Sequence, residues 1–151
     1  MAATPLPPDF SAFLRLLNAH DVRYLLIGGY AVGYYGYVRA TADIDVWIPR
    51  ERENADRLIS ALAEFGFDVP ELRADLFLEK GRIVRLGVPP MRIEIQTSIS
   101  GVEFEACYDD RLVVEWDDVT VTVISLDRLV ENKRAAGRLK DLTDLEYLER
   151  L

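Results

Sequence analysis

The sequence predicts an α+β fold, a mixed sheet flanked by helices with a helical pair closing the chain. Three observations predict it. Half of the 151 residues are hydrophobic and 29% are charged, a balance that supports a packed core and excludes a disordered chain. The apolar positions switch repeatedly between helical and strand spacing, in the order helix, strand, helix, strand, helix, several strands, then two helices. No repeat, low-complexity tract or long linker interrupts that order, so residues 1–151 read as one domain.

The elements follow in chain order. Pro5, Pro7 and Pro8 give an extended arm, and Asp9 is expected to cap a helix carrying Phe10, Phe13, Leu14 and Leu17 at helical spacing, ending near Asn18–Asp21. Val22–Ile27 reads as a buried strand closed by Gly28-Gly29. Tyr30–Tyr37 is expected to form a short helix, with Tyr30, Tyr34 and Tyr37 on one face and turned to the core rather than stacked on a ligand. Thr41–Ile48 reads as a strand ended by Pro49. Glu51–Phe65 is an amphipathic helix with Ala55, Leu58, Ile59, Leu62 and Phe65 inward and Gly66 as its stop. Leu76–Leu78, Ile83–Val88 and Met91–Ile95 read as strands, with Gly81 and Pro89-Pro90 in the turns. Leu112–Trp116 and Val119–Ile124 form a hairpin across Asp117-Asp118. Ser125 should cap a helix over Leu126–Ala136, Gly137 should end it, and a last helix carries Leu139, Leu142, Leu145 and Leu148.

Composition narrows the partners. A net charge of −8 disfavours a duplex-binding face and non-specific DNA binding. The basic residues are fifteen arginines and three lysines, which leaves room for a small basic patch beside a site. A single cysteine, Cys107, can form no internal disulfide, and with the lone His20 it makes no zinc set; a buried or half-buried thiol is expected. Met1–Pro8 lacks a basic leader and no apolar run is long enough to cross a bilayer, so the expected location is the cytoplasm, without membrane contact.

The chemistry concentrates in Asp43-Ile44-Asp45-Val46. On a strand the two acids project from one face while Ile44 and Val46 anchor the other. Trp47 follows on the acid face and Ile48 on the core face. Two carboxylates that close raise each other's pKa unless a cation lies between them, and a hard ion such as Mg²⁺ suits their oxygens. Read without that ion, the strand is simply polar on a solvent face. In Met91–Gln96 a second alternation turns Arg92, Glu94 and Gln96 to one side. If this strand neighbours the first, Glu94 supplies a third carboxylate; otherwise it is a surface acid paired to Arg92. Glu79, Glu103 and Glu105 are weaker candidates because no clear alternation surrounds them. Gly28-Gly29, between a strand and a helix start, permits close backbone approach to a phosphate, or serves only a tight turn. It is neither a Walker A loop nor a dinucleotide fingerprint.

Together Ile27-Gly28-Gly29, thirteen intervening residues and Asp43-Ile44-Asp45-Val46 resemble the signature of the DNA polymerase β-type nucleotidyltransferase superfamily. The chain is most similar to its small prokaryotic members, the minimal nucleotidyltransferases and those paired with abortive-infection toxin–antitoxin systems. Arg39-x-Thr41-x-Asp43 resembles a run common among them. Ser125–Leu148, with Leu129, Lys133, Arg138, Lys140-Asp141 and Asp144, resembles their C-terminal helical pair.

The resemblance implies a nucleotidyltransferase-like fold. It implies Mg²⁺-dependent transfer of a nucleoside monophosphate from an NTP to an acceptor hydroxyl, with pyrophosphate released. Asp43, Asp45 and Glu94 would be the catalytic carboxylates and the ligands of two Mg²⁺ ions. Gly28 and Gly29 would contact the triphosphate, although Gly29 lacks the serine hydroxyl many relatives carry there. Thr41 would belong to the nucleotide site, and Arg39 and Lys133 would neutralise phosphate charge, unless they form ordinary salt bridges; Lys140 is a weaker candidate. The acceptor would be a protein side chain, a tRNA end or a small molecule, and the acidic surface favours a protein or a cationic small molecule. The rival expectation is an antitoxin-like or regulatory module that keeps the fold and acts by covering a toxin-like protein partner; an exposed apolar patch on the last helices would favour it.

Overall fold

A computed structural model of the protein describes residues 5–38 and 41–150. The elements are α1 (Pro8–Ala19), β1 (Leu25–Ile27), α2 (Gly28–Tyr34), β2 (Asp43–Trp47), α3 (Arg52–Phe65), a 3₁₀ turn (Ala74–Leu78), β3 (Ile83–Leu86), β4 (Arg92–Gln96), α4 (Phe104–Asp109), β5 (Leu112–Trp116), β6 (Val119–Val123), α5 (Leu126–Ala136) and α6 (Leu139–Leu148). The six strands form one mixed sheet in the order β3-β4-β2-β1-β6-β5. Pairs β2–β4 and β1–β6 are parallel, and the other three are antiparallel. The expected α+β fold is the one observed.

Local chemistry explains most boundaries. In α1, Pro8 occupies the first helical position, where its fixed φ helps and its missing N–H costs nothing. The cap is therefore Pro7, not Asp9; Asp9 lies in the first turn, where its charge complements the helix dipole. Phe10, Phe13, Leu14 and Leu17 are buried as their spacing requires. Ser125 caps α5, accepting a hydrogen bond from the Arg128 backbone N–H, and Gly137 ends it in the left-handed region at φ +66°. α1 packs on α3 and on β6, while α2 packs on β1 and β2.

Four expectations are corrected. β1 starts at Leu25 rather than Val22, because the buried Asn54 side chain takes the place of a partner strand: its Oδ1 accepts from the Arg23 backbone N–H at 2.7 Å and its Nδ2 donates to the Arg23 carbonyl at 3.1 Å. The helix expected at Tyr30–Tyr37 begins at Gly28 and stops at Tyr34. Leu76–Leu78 belongs to a 3₁₀ turn with Phe77 as its one buried anchor, too short a run for periodicity to separate turn from strand. Finally, α4 lies where no helix was expected; its six residues bury only Phe104 and Cys107 and show less than two turns of pattern. Cys107 is a buried free thiol, its pKa pushed up to about 11 by burial. Tyr30 is buried and meets Phe10 edge-on, whereas Tyr37 stacks on Tyr147 at 4.0 Å. Among the described residues no helix is long and apolar enough to cross a membrane.

Candidate active site

The β1–α2 turn is built around the second acid. Ile27 pairs with Asp45 across the antiparallel β1–β2 ladder, and the chain then turns at Gly28 with φ +70°. A Cβ on Gly28 would lie 2.2 Å from Asp45 Oδ2, so only glycine leaves room for that carboxylate. A Cβ on Gly29 would meet Thr41 Oγ1 at 2.8 Å. Thr41 in turn donates from Oγ1 to the Asp43 carbonyl at 3.2 Å, bracing the start of β2. The diglycine is thus needed to seat Asp45 and Thr41, whatever it does for a ligand.

The third acid arrives through the parallel pairing of β2 with β4. The register sets Asp43 opposite Arg92 and Asp45 opposite Glu94, with Ile44, Val46, Ile93 and Ile95 all buried on the other face. The neighbourhood that Glu94 required is therefore present. The acid face is not simply solvated: Trp47 is 2% exposed and meets Phe104 of α4 at 5.2 Å, edge to face. Its indole N–H has no acceptor among the described residues, a cost of about 1–3 kcal/mol.

The charges at this face are dense. Arg92 forks onto Asp43, with Nε on Oδ1 at 3.0 Å and a terminal nitrogen on Oδ2 at 2.9 Å, and lies 3.8 Å from Glu94. Arg85 of β3 donates to Glu94 Oε1 at 2.7 Å. Among the described residues no arginine pairs with Asp45. Its carboxyl pKa is pushed up to about 8, first by burial, then by the hydrogen bond it shares with Glu94 and the negative charges of Glu94 and Asp43. Burial also presses Glu94 upward, but the hydrogen bond from Asp45 and the Arg85 guanidinium outweigh it and hold Glu94 below the usual carboxylate range. At neutral pH Asp45 therefore holds a proton directed at Glu94.

By donor chemistry this set fits Mg²⁺: three hard carboxylate ligands whose mutual repulsion a divalent cation would relieve. The geometry is not a finished cage. Among the described residues no three acidic, His or Cys side chains are gathered around one ion position. Asp43 is committed to Arg92, and Asp45 to Glu94.

The acids open into a cleft of 1390 Å³ that also receives Gly28, Gly29, Thr41, Lys80, Ser98, Glu103, Asn132 and Lys140. Lys140 makes no ion pair among the described residues, and its charge tempers the rise in Asp45. Lys133 borders the cleft too, but its ammonium is buried between Asp141 at 3.2 Å and Asp144 at 3.1 Å. Of the two roles weighed for Lys133, the geometry displays the ion pair. Arg39 lies outside the described residues. Of the weaker acids, Glu79 pairs with Arg82 and Glu105 with Arg23 at the surface, while Glu103 lines the cleft. Sequence reasoning underrated Arg92 and Arg85. The available signal was the alternation itself, which sets Arg92 on the same face as Glu94, two residues before it.

No protein-family model matches the sequence, and no curated protein matches it. Solved structures do. A candidate nucleotidyltransferase of Thermotoga maritima superimposes with a TM-score of 0.58 at 18% identity, over 93% of this chain and 88% of that one. An antigenic nucleotidyltransferase-like protein of Paracoccidioides brasiliensis gives 0.55 at 18% identity, over 96% and 78%. The lincosamide antibiotic adenylyltransferase LnuA, solved with lincomycin bound, gives 0.57 at 15% identity, over 96% and 97%. With its mixed sheet, flanking helices and C-terminal helical pair, the chain has the fold of the nucleotidyltransferase-like proteins.

Proposed function

We propose that the protein is a Mg²⁺-dependent nucleotidyltransferase that moves a nucleoside monophosphate from an NTP to an acceptor hydroxyl. The observation that carries this reading is the β2–β4 register, which aligns Asp45, above Gly28, with Glu94 and sets Asp43 two residues along the same face. A pure binding module has no need of three mutually repelling acids at the floor of a large cleft.

In this reading Asp43, Asp45 and Glu94 hold two Mg²⁺ ions. Bound there, the metal would supply charge neutralisation at the triphosphate and a lowered pKa for the attacking hydroxyl. The residues do the rest. Gly28 and Gly29 let the backbone approach the phosphates, Thr41 and Lys140 line the same cleft, and Arg39 is proposed from its motif alone to neutralise phosphate charge. Glu94, ionised at neutral pH, accepts the acceptor's proton at its carboxylate. The acceptor oxygen then bonds to the α-phosphorus as the bond from that phosphorus to the α–β bridging oxygen breaks, and pyrophosphate leaves. Catalysis by this site is positioning and charge neutralisation.

The cleft, at 1390 Å³, exceeds what one drug-sized ligand fills (about 300–1,000 Å³), which supports a nucleotide beside a small-molecule acceptor. One protein of the same fold, LnuA, has lincomycin bound. Titration of each NTP with and without Mg²⁺ tests the donor side, on wild type and on the Asp43→Ala/Asp45→Ala double variant. Binding that ignores Mg²⁺, or survives the double change, overturns the reading. Labelled NTPs incubated with cell extract identify the acceptor, whether small molecule, protein or tRNA end.

One observation favours the rival reading, a module that acts through a toxin-like protein partner. On α6, Leu139 is 83% exposed and Leu142 51%, an apolar face larger than an isolated surface leucine. A stable complex with the product of a neighbouring gene, formed equally well by the double variant, would support that role.

A further inference from the structure

We propose that Arg92 couples metal binding to triphosphate binding by exchanging partners: it neutralises Asp43 when the site is empty of cations and turns to the phosphates when a metal takes Asp43. The inference rests on the nucleotidyltransferase reading and adds to it an element of this chain's own. Arg92 faces Asp43 across the β2–β4 register and forks onto both of its oxygens at 3.0 and 2.9 Å. That fork occupies the oxygens a metal must use. Arg85 donates a single bond to Glu94 Oε1 at 2.7 Å, so two of the three acids are capped by guanidiniums rather than gathered around one ion position.

The consequence follows from charge. A divalent ion arriving alone must strip Arg92 from Asp43 and leave a guanidinium, 33% exposed at its side chain, with only the more distant Glu94 at 3.8 Å. A triphosphate arriving alone must draw Arg92 off Asp43 and leave that carboxylate uncovered. Only the two together satisfy every group: the ion takes Asp43 and the freed guanidinium meets phosphate oxygens, for which its planar fork is suited. Arg92 is thus a positioning residue whose role is thermodynamic coupling, and coupling is reciprocal between the two ligands.

Mn²⁺, read by electron paramagnetic resonance, tests this without turnover. Its affinity is measured for wild type, Arg92→Gln, Arg92→Lys and Lys80→Gln. Each is titrated alone and with the α,β-methylene triphosphates of adenosine, cytidine, guanosine and uridine in turn. Thermal melting confirms that each variant is folded. Wild type should bind Mn²⁺ weakly alone and on the order of tenfold or more tightly with the analogue it prefers. Arg92→Gln should bind Mn²⁺ alone about tenfold tighter than wild type, with the analogue adding little, and Arg92→Lys should fall between. Lys80→Gln removes the same charge from the cleft wall without freeing a carboxylate, and should keep the wild-type coupling. Unchanged or weaker Mn²⁺ binding by Arg92→Gln, or equal effects of Arg92→Gln and Lys80→Gln, overturns the exchange. If wild type binds no Mn²⁺ that the Asp43→Ala/Asp45→Ala change abolishes, the nucleotidyltransferase reading itself has failed.

Discussion

Asp141 and Asp144 on α6 and Asp43 and Asp45 on β2 are both close pairs of acids, yet the fold treats them in opposite ways. The α6 pair is the more deeply buried, at 0% and 1% exposure, and the better satisfied. Lys133 reaches both carboxylates, and Arg138 donates to Asp141 from Nε at 2.6 Å and from its backbone N–H at 3.2 Å. Burial presses Asp141 upward, but Arg138 and Lys133 outweigh it and hold the carboxyl below its ordinary value. The β2 pair opens on the cleft, with one member capped by an arginine and the other left to share a proton with Glu94. A site resolved by its own side chains is structure. A site left short of positive charge is built to receive it from outside.

The largest effect should come from breaking the first pair's solution. Removing one partner of a buried ion pair leaves uncompensated charge, at about 3–5 kcal/mol. Lys133→Ala takes the buried ammonium from both Asp141 and Asp144, while Arg138 still holds Asp141, so urea unfolding should show a loss of about 3–5 kcal/mol or no stable fold. A loss under about 1 kcal/mol, with NTP binding weakened instead, would move Lys133 from the structural pair to the phosphate site.

Next in size is Gly28→Ala, which attacks the second pair. The residue's φ of +70° alone makes any side chain strained, by about 1–2 kcal/mol. The added methyl would also press on Asp45 Oδ2 at 2.2 Å, a rigid neighbour held by the β1–β2 ladder. The loss of stability should reach about 2–3 kcal/mol, with Mn²⁺ binding reduced alongside. Retained metal affinity would show that Asp45 moves freely and that the diglycine is an ordinary turn.

Much of this contrast was legible beforehand, and the parts that were not share a cause. Asp43 and Asp45 were readable because period-two alternation with Ile44 and Val46 fixes their face locally. The same alternation aligned Arg92 with Glu94. Which strand lies beside β2, and in what register, depends on pairings 49 residues apart in sequence for Asp43 and Arg92, and no local pattern encodes them. For that reason Glu94 is a conditional candidate in the sequence, and the Arg92–Glu94 pairing weighed there, present at 3.8 Å, gives no hint of the closer fork onto Asp43. Lys133 is ambiguous for a different reason. Its type suits both a phosphate and a buried carboxylate, and only the packing of α6 against α5 decides between them. α4, which covers Trp47, was too short to announce itself.

The two pairs should also respond to pH with opposite signs. Asp45 keeps its proton up to about pH 8 in the folded chain but only to about 4 when unfolded. Between those values the folded state binds the extra proton, so stability falls as pH rises, by at most about 1.4 kcal/mol per pH unit. Asp141, depressed when folded, contributes stability above its unfolded pKa that is lost as pH drops below about 4. Asp45→Asn should therefore flatten the upper arm. In chelator, its melting temperature should exceed wild type at pH 8 by the equivalent of about 1–2 kcal/mol and converge with it near pH 4. Added Mg²⁺ should stabilise wild type at pH 8 and leave Asp45→Asn little changed. A variant less stable than wild type at pH 8 would mean that ionised Asp45 is already compensated.

The smallest effect belongs to the glycine of the settled region. Gly137 ends α5 at φ +66°, within four degrees of Gly28's +70°, so an alanine meets the same backbone strain at either position. Around Gly137 the nearest atom to a new Cβ is the Arg134 carbonyl oxygen at 3.8 Å, an ordinary contact. Strain is then the whole effect, about 1 kcal/mol, and the Lys133 cluster a few residues away is undisturbed. Gly137→Ala should lower the melting temperature slightly and leave Mn²⁺ and NTP binding at wild-type values. Because the dihedrals match, the difference between the two alanine variants isolates what Asp45 asks of Gly28. If both variants lose the same stability and both keep metal affinity, the carboxylate above Gly28 is not held in place, and the contrast between the two acid pairs collapses to one of burial alone.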